Sequence, residues 1–92
     1  MTPDEATKLL DGLVERLATV EHERWAHWQR YMHGKSIKQP DGSLLIPPDL
    51  VHHWERQLST PYSELTENEK DSDREQVRKY LPILIEGLSG ET

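Results

Sequence analysis

The chain has 92 residues, 30% of them charged and 34% apolar, with no cysteine, no phenylalanine and a formal charge of −6. That length predicts one domain, residues 1–92, with a modest core. The charge argues against binding DNA, RNA or an anionic membrane through net attraction, and the missing thiols exclude disulfides and cysteine-based zinc sites.

No apolar run approaches the roughly 20 residues of a membrane helix. The opening stretch, Met1-Thr2-Pro3-Asp4-Glu5, lacks the basic and apolar regions of a secretory signal, and the absence of cysteine fits a cytoplasmic protein. So lean a composition leaves much of the packing to the three Trp and three Tyr. It also makes a homo-oligomer, dimer or larger, an expectation.

The pattern predicts a long first helix over about 3–33. Thr2 is its N-cap, Pro3 takes the first helical position, and Asp4 and Glu5 complement the helix dipole. Leu10, Leu13, Val14, Leu17, Val20, Trp28, Tyr31 and Met32 recur at helical spacing, which assigns Trp28 to the core. Gly34 is the expected C-cap. Residues 35–47 follow, with Pro40-Asp41-Gly42 as a turn signal. Ile37 before the turn and Leu44 to Ile46 after it suit a short β-hairpin.

A helix over about 48–58 carries Leu50, Val51, Trp54 and Leu58 on one face. Ser59-Thr60-Pro61-Tyr62 is a turn. Thr66-Glu67-Asn68-Glu69 reads as a capping box and opens a helix over about 66–80. Pro82 breaks it, and a turn or short helix covers about 82–88. The expected fold is mostly α: a small domain of three to four helices, with a short hairpin between the first two.

Two charged interruptions stand out. On a wheel of about 100° per residue, Glu21 and Arg24 fall within about 40° of the inward stripe of the first helix. In the later helix, the stripe through Val77 and Leu84 extends back into Arg74, Asp73 and Lys70. The signs are complementary: Glu21 suits Lys70 or Arg74, and Arg24 suits Asp73. Two readings fit. One is a structural ion-pair network. The other is a polar pocket between helices, edged by Trp25, Trp54 and Tyr62, whose cations hold an anion while an aromatic ring stacks.

His22 and His27 lie five apart, about 140° round a helix, which is the wrong spacing for a zinc-protease pair. His52 and His53 point apart. No metal, cofactor, nucleophile–base pair or phosphate-binding glycine loop is indicated, so an enzyme is not expected.

Three segments taken together resemble the ryanodine-receptor repeat (RyR) domain, in its stand-alone bacterial and phage form. They are His22-Glu23-Arg24-Trp25, Pro48-Asp49-Leu50-Val51, and the stretch from Tyr62 to Val77 with Glu69-Lys70-x-x-Asp73-Arg74. The resemblance spans about residues 20–84. It departs where Met32-His33-Gly34-Lys35-Ser36 replaces the usual Gly-Trp, and at the extra Pro-Asp-Gly turn. What it implies is a non-enzymatic module that senses or sequesters a phosphorylated, nucleotide-derived small molecule, in signalling or anti-phage defence. Arg24, Lys70 and Arg74 would meet the anion. Trp25, Trp54 or Tyr62 would stack, with His22 in the same motif. Glu21, Glu23 and Asp73 would orient the cations or accept hydroxyls. The alternative is a protein-interaction or oligomerisation module whose charge network is structural.

Overall fold

The computed structural model describes residues 1–90. It is largely helical, with a two-stranded hairpin in the middle of the chain. Helix α1 (Pro3–Asp11) leads into α2 (Val14–Lys35). Strands β1 (Ile37–Lys38) and β2 (Leu44–Leu45) form the hairpin, followed by α3 (Pro48–Leu58), a 3-10 turn at Tyr62–Glu64, α4 (Glu67–Arg78) and α5 (Leu81–Leu88).

Thr2 caps α1 as its sequence requires, accepting a bond from the Glu5 amide at 3.1 Å. The single long helix expected over 3–33 is instead two helices. The break lies at Gly12–Leu13, where the Leu13 amide bonds to the Leu10 carbonyl at 2.9 Å in a tighter turn and Leu13 adopts φ −98°, ψ −3°. Glycine is the poorest helix former after proline, and the break lets α1 fold back against α5. Leu13 then points inward. It is 8% exposed, the one buried apolar side chain among the described residues. Gly87 of α5 makes room for it: a Cβ there would lie 2.6 Å from Leu13 Cδ1.

Helix α2 also runs past Gly34, which is helical rather than a cap. Ser36 ends it, its hydroxyl donating to the Met32 carbonyl at 2.8 Å and its amide to His33 at 3.2 Å. With those carbonyls satisfied, no left-handed glycine is required. In the hairpin, Ile37 pairs with Leu45 and Lys38 with Leu44, antiparallel. Gly42 takes the positive φ of 90° that the turn demands, and Asp41 Oδ1 accepts from the Ser43 amide and hydroxyl at 2.9 and 2.6 Å.

Helix α3 matches its expected span. Leu58, however, is largely exposed, and Trp54 and Gln57 carry the inward face. The capping box of α4 is complete: Thr66 Oγ1 accepts from the Glu69 amide at 3.2 Å, and Glu69 Oε1 accepts from the Thr66 amide at 3.1 Å. The other Glu69 oxygen accepts from Arg56 at 3.0 Å and Gln57 at 2.6 Å, tying α4 to α3. Arg16–Glu86 at 2.6 Å ties α2 to α5, and the Tyr80 hydroxyl donates to Glu21 of α2.

The whole is elongated, 53 × 34 × 19 Å, with a radius of gyration of 18.1 Å, where a compact domain of this length measures about 12 Å. Among the described residues no helix is long and apolar enough to cross a membrane.

Truncating Leu13→Ala should cost about 2–3 kcal/mol, the lower part of the range for buried leucines, in urea unfolding. The Glu69 carboxyl is held down to about 2 by hydrogen bonds from Gln57 and then Thr66. A depressed carboxyl stabilises the fold above its unfolded pKa, near 4.5, and that support drains away as pH falls towards 2. Glu69→Gln should therefore melt lower than the parent at pH 7, and the gap between the two melting curves should narrow below about pH 4.5.

Candidate functional site

The charged residues of the two interrupted stripes pair mainly within their own helices. Arg24 Nε donates to Glu21 Oε2 at 3.1 Å, with a second, shorter contact from Nη2 to Oε1. Hydrogen bonds from Arg24 and then Tyr80 hold the Glu21 carboxyl down to about 2, and the same pairing raises Arg24. On α4, Arg74 Nη1 donates to Asp71 at 2.7 Å and Glu67 at 3.2 Å, which pushes its pKa up. Lys70 lies 3.6 Å from Glu67. The expected cross-helix pairs, Glu21 with Lys70 or Arg74 and Arg24 with Asp73, do not form among the described residues. Three of these pairs join residues three apart, which stand about 5–6 Å apart on one helix, and Arg74–Glu67 spans two turns of the same helix, so none has to span the gap between helices.

That leaves two hollows, one on either side of α4. The larger, about 690 Å³, lies between α2, α3 and α4 and holds three of the expected residues: Arg24, Trp54 and Asp73. Its aromatic wall is Trp28, Tyr31 and Trp54. Trp28 meets Trp54 edge-on at 5.4 Å and stacks on Tyr31 at 5.6 Å. Trp28 is thus a groove wall, 39% exposed, and not the core residue its stripe position suggests. Glu69, Asp73 and Glu75 also line this hollow, against one permanent cation, Arg24. Three carboxylates around one guanidinium give the cleft an acidic character, unfavourable to an anion.

The smaller hollow, about 380 Å³, is formed by Tyr62, Asp73, Arg74, Val77, Arg78 and Leu81. Lys70 joins it from the side, its Nζ 5.8 Å from the centre of the Tyr62 ring. Here the lining itself carries Arg74 and Arg78 against one carboxylate, Asp73, while Asp71 and Glu67, outside that lining, pair with Arg74 and Lys70. Both protein bonds of Arg74 use Nη1, which leaves Nε and Nη2 open among the described residues. Arg78 has neither an ion pair nor a side-chain hydrogen bond there.

Four expected residues (Tyr62, Lys70, Asp73 and Arg74) therefore gather at the smaller hollow. Glu21 braces Arg24 at the edge of the larger one. His22, Glu23 and Trp25 line neither. Trp25 is 53% exposed and stacks on His22 at 5.9 Å. The sequence does not single out Arg78 and places Val77 in an apolar packing stripe; neither they nor Leu81 are expected at the site. Their signal was present: 74, 77, 78 and 81 follow the i, i+3, i+4, i+7 spacing of one helix face.

Comparison of the chain with protein-family models, curated proteins and solved structures finds no match.

Proposed function

We propose that this protein is a non-enzymatic binding module for an anionic, ring-bearing small molecule of the phosphorylated, nucleotide-derived class, held in the hollow beside Tyr62. The observation that carries this reading is the convergence of Tyr62, Lys70, Arg74 and Arg78 over an apolar floor of Val77 and Leu81. Its volume falls within the range of about 300–1,000 Å³ usual for ligand pockets. In this reading the open Nε and Nη2 of Arg74 form a fork suited to two oxygens of a phosphate, and Arg78 supplies a second guanidinium. The free face of Tyr62 takes the ring, and Asp73 accepts a hydroxyl. The resemblance of residues 62–77 to the RyR motif points to the same residues.

A second reading, a protein-interaction or oligomerisation module, is favoured by a different observation. Large apolar side chains are exposed along α5 and at the ends of α1 and α3.

The test is a thermal-shift panel of nucleotides, cyclic dinucleotides, ADP-ribose isomers and inorganic phosphate, followed by calorimetry on any compound that shifts the melting temperature. Binding to the folded state alone must raise that temperature. Arg78→Ala removes a side chain that has no ion pair or side-chain hydrogen bond among the described residues, so the unliganded melting temperature should stay near the parent value. Affinity should fall about 10- to 100-fold, the worth of one charge-assisted bond. A panel without a shift, or a bound compound indifferent to both Arg78→Ala and Tyr62→Ala, overturns the reading.

A further inference from the structure

Helix α5 is apolar on two sides. One side, Ile83, Leu84 and Gly87, is half-buried, with Gly87 against Leu13. The other, roughly 120° round the helix, is Leu81, Ile85 and Leu88. Val77 extends it by one turn, because Lys79 and Tyr80 keep helical backbone angles between α4 and α5. The four side chains of this second stripe are between 42% and 63% exposed and include no charge. A helix that is apolar nearly all round belongs in an interior, yet α5 is covered on one side only.

The surface area says how much covering is missing. The chain exposes 7370 Å², against roughly 5,500 Å² for a compact monomer of its mass. The surplus is about 1,900 Å² per chain, spread over the whole elongated molecule; the four side chains of the stripe are one part of it, and a partner that covered all of it would bury an area of obligate-homodimer size.

We propose that the stripe Val77–Leu81–Ile85–Leu88 is a self-association surface whose occupant is the same stripe of a second copy. With Leu13 the one buried apolar side chain among the described residues, a cover that is present whenever the chain is folded suits this surface best. A second copy always meets that condition. The chemistry agrees. Two chains of charge −6 repel each other, which favours contact through an uncharged stripe such as this one. The same charge disfavours an anionic lipid surface. A two-fold contact is self-complementary, and spacing of four, four and three residues is that of helices packed side by side. An antiparallel crossing centred on Ile85 sets Leu81 of one copy against Leu88 of the other. Val77 then lies at the rim, and Leu81 is shared between this contact and the floor beside Tyr62.

The full chain contains no cysteine, so a single introduced thiol reports proximity cleanly. Ile85→Cys should oxidise rapidly to a covalent dimer, because facing positions at a two-fold helix crossing bring Cα atoms within the roughly 7 Å a disulfide needs. Asp41→Cys, at the hairpin tip, should not. Light scattering of the parent should give at least twice the 10.7 kDa of one chain. Its melting temperature should rise with concentration over a roughly hundredfold range, as mass action requires. Ile85→Glu should reduce the mass to one chain or unfold the protein. A single-chain mass with a concentration-independent melting temperature overturns the proposal. So does an assembly in which Ile85→Cys cross-links no faster than Asp41→Cys, or in which Ile85→Glu keeps the parent's mass and stability. No ligand enters these measurements, so their outcome is separate from that of the binding test.

Discussion

The carboxylate of Glu69 both starts α4 and fastens it to α3. One oxygen closes the capping box with Thr66, and the other receives Arg56 and Gln57. Its side chain is only 13% exposed, so the bonds form where water competes weakly. Both hollows depend on this joint. The larger has Glu69 in its wall, and the smaller is built on the far side of the helix that Glu69 positions. The placement of Arg74, Val77 and Arg78 along α4 follows from where that helix begins.

Elsewhere the elements are held by ties of a weaker kind. Arg16–Glu86 and Glu21–Tyr80 bridge helices at the surface, and exposed pairs are worth about 0–1 kcal/mol. The apolar content is adequate for helices but is spread over a molecule 53 Å long. Among the described residues, Leu13 in its seat against Gly87 is the one buried apolar side chain. The length of α2, about 33 Å for 22 residues at the standard rise, keeps α3 and the hairpin away from that seat. Elongation and a sparse interior are the same fact seen twice: α1 and α5 meet at one end, and among the described residues the remainder is only partly covered.

The two hollows show how one helix can divide a charged cluster into different chemistries. Asp73 touches both. On the α2–α3 side it joins Glu69 and Glu75, and the aromatic wall is surrounded by carboxylates. On the outer side it shares the lining with Arg74 and Arg78, and Arg74 is also paired with Asp71 and Glu67. The two faces of α4 therefore differ in the charges that line them, although the cluster is mixed along the sequence.

Most secondary structure was legible in the sequence because it rests on local causes. Thr2 and Thr66 are caps with their partners three residues away, Gly42 supplies the turn, and Pro48 opens α3. Mostly helical character and the central hairpin follow from those signals alone. The split at Gly12–Leu13 was not legible, because the apolar period continues through it; the packing of α1 on α5 decides it. The passage of α2 through Gly34 was hidden because the Ser36 hydroxyl does the capping. Within the candidate site, the residue types were visible and their grouping was not. Spacing placed Glu21 and Arg24 opposite Lys70, Asp73 and Arg74, but a wheel gives only angles about one axis. How far α2 stands from α4, and hence that each charge finds its partner on its own helix, is a distance between helices. That distance is set by the side chains of both, and by the Glu69 joint, so only the tertiary structure decided it.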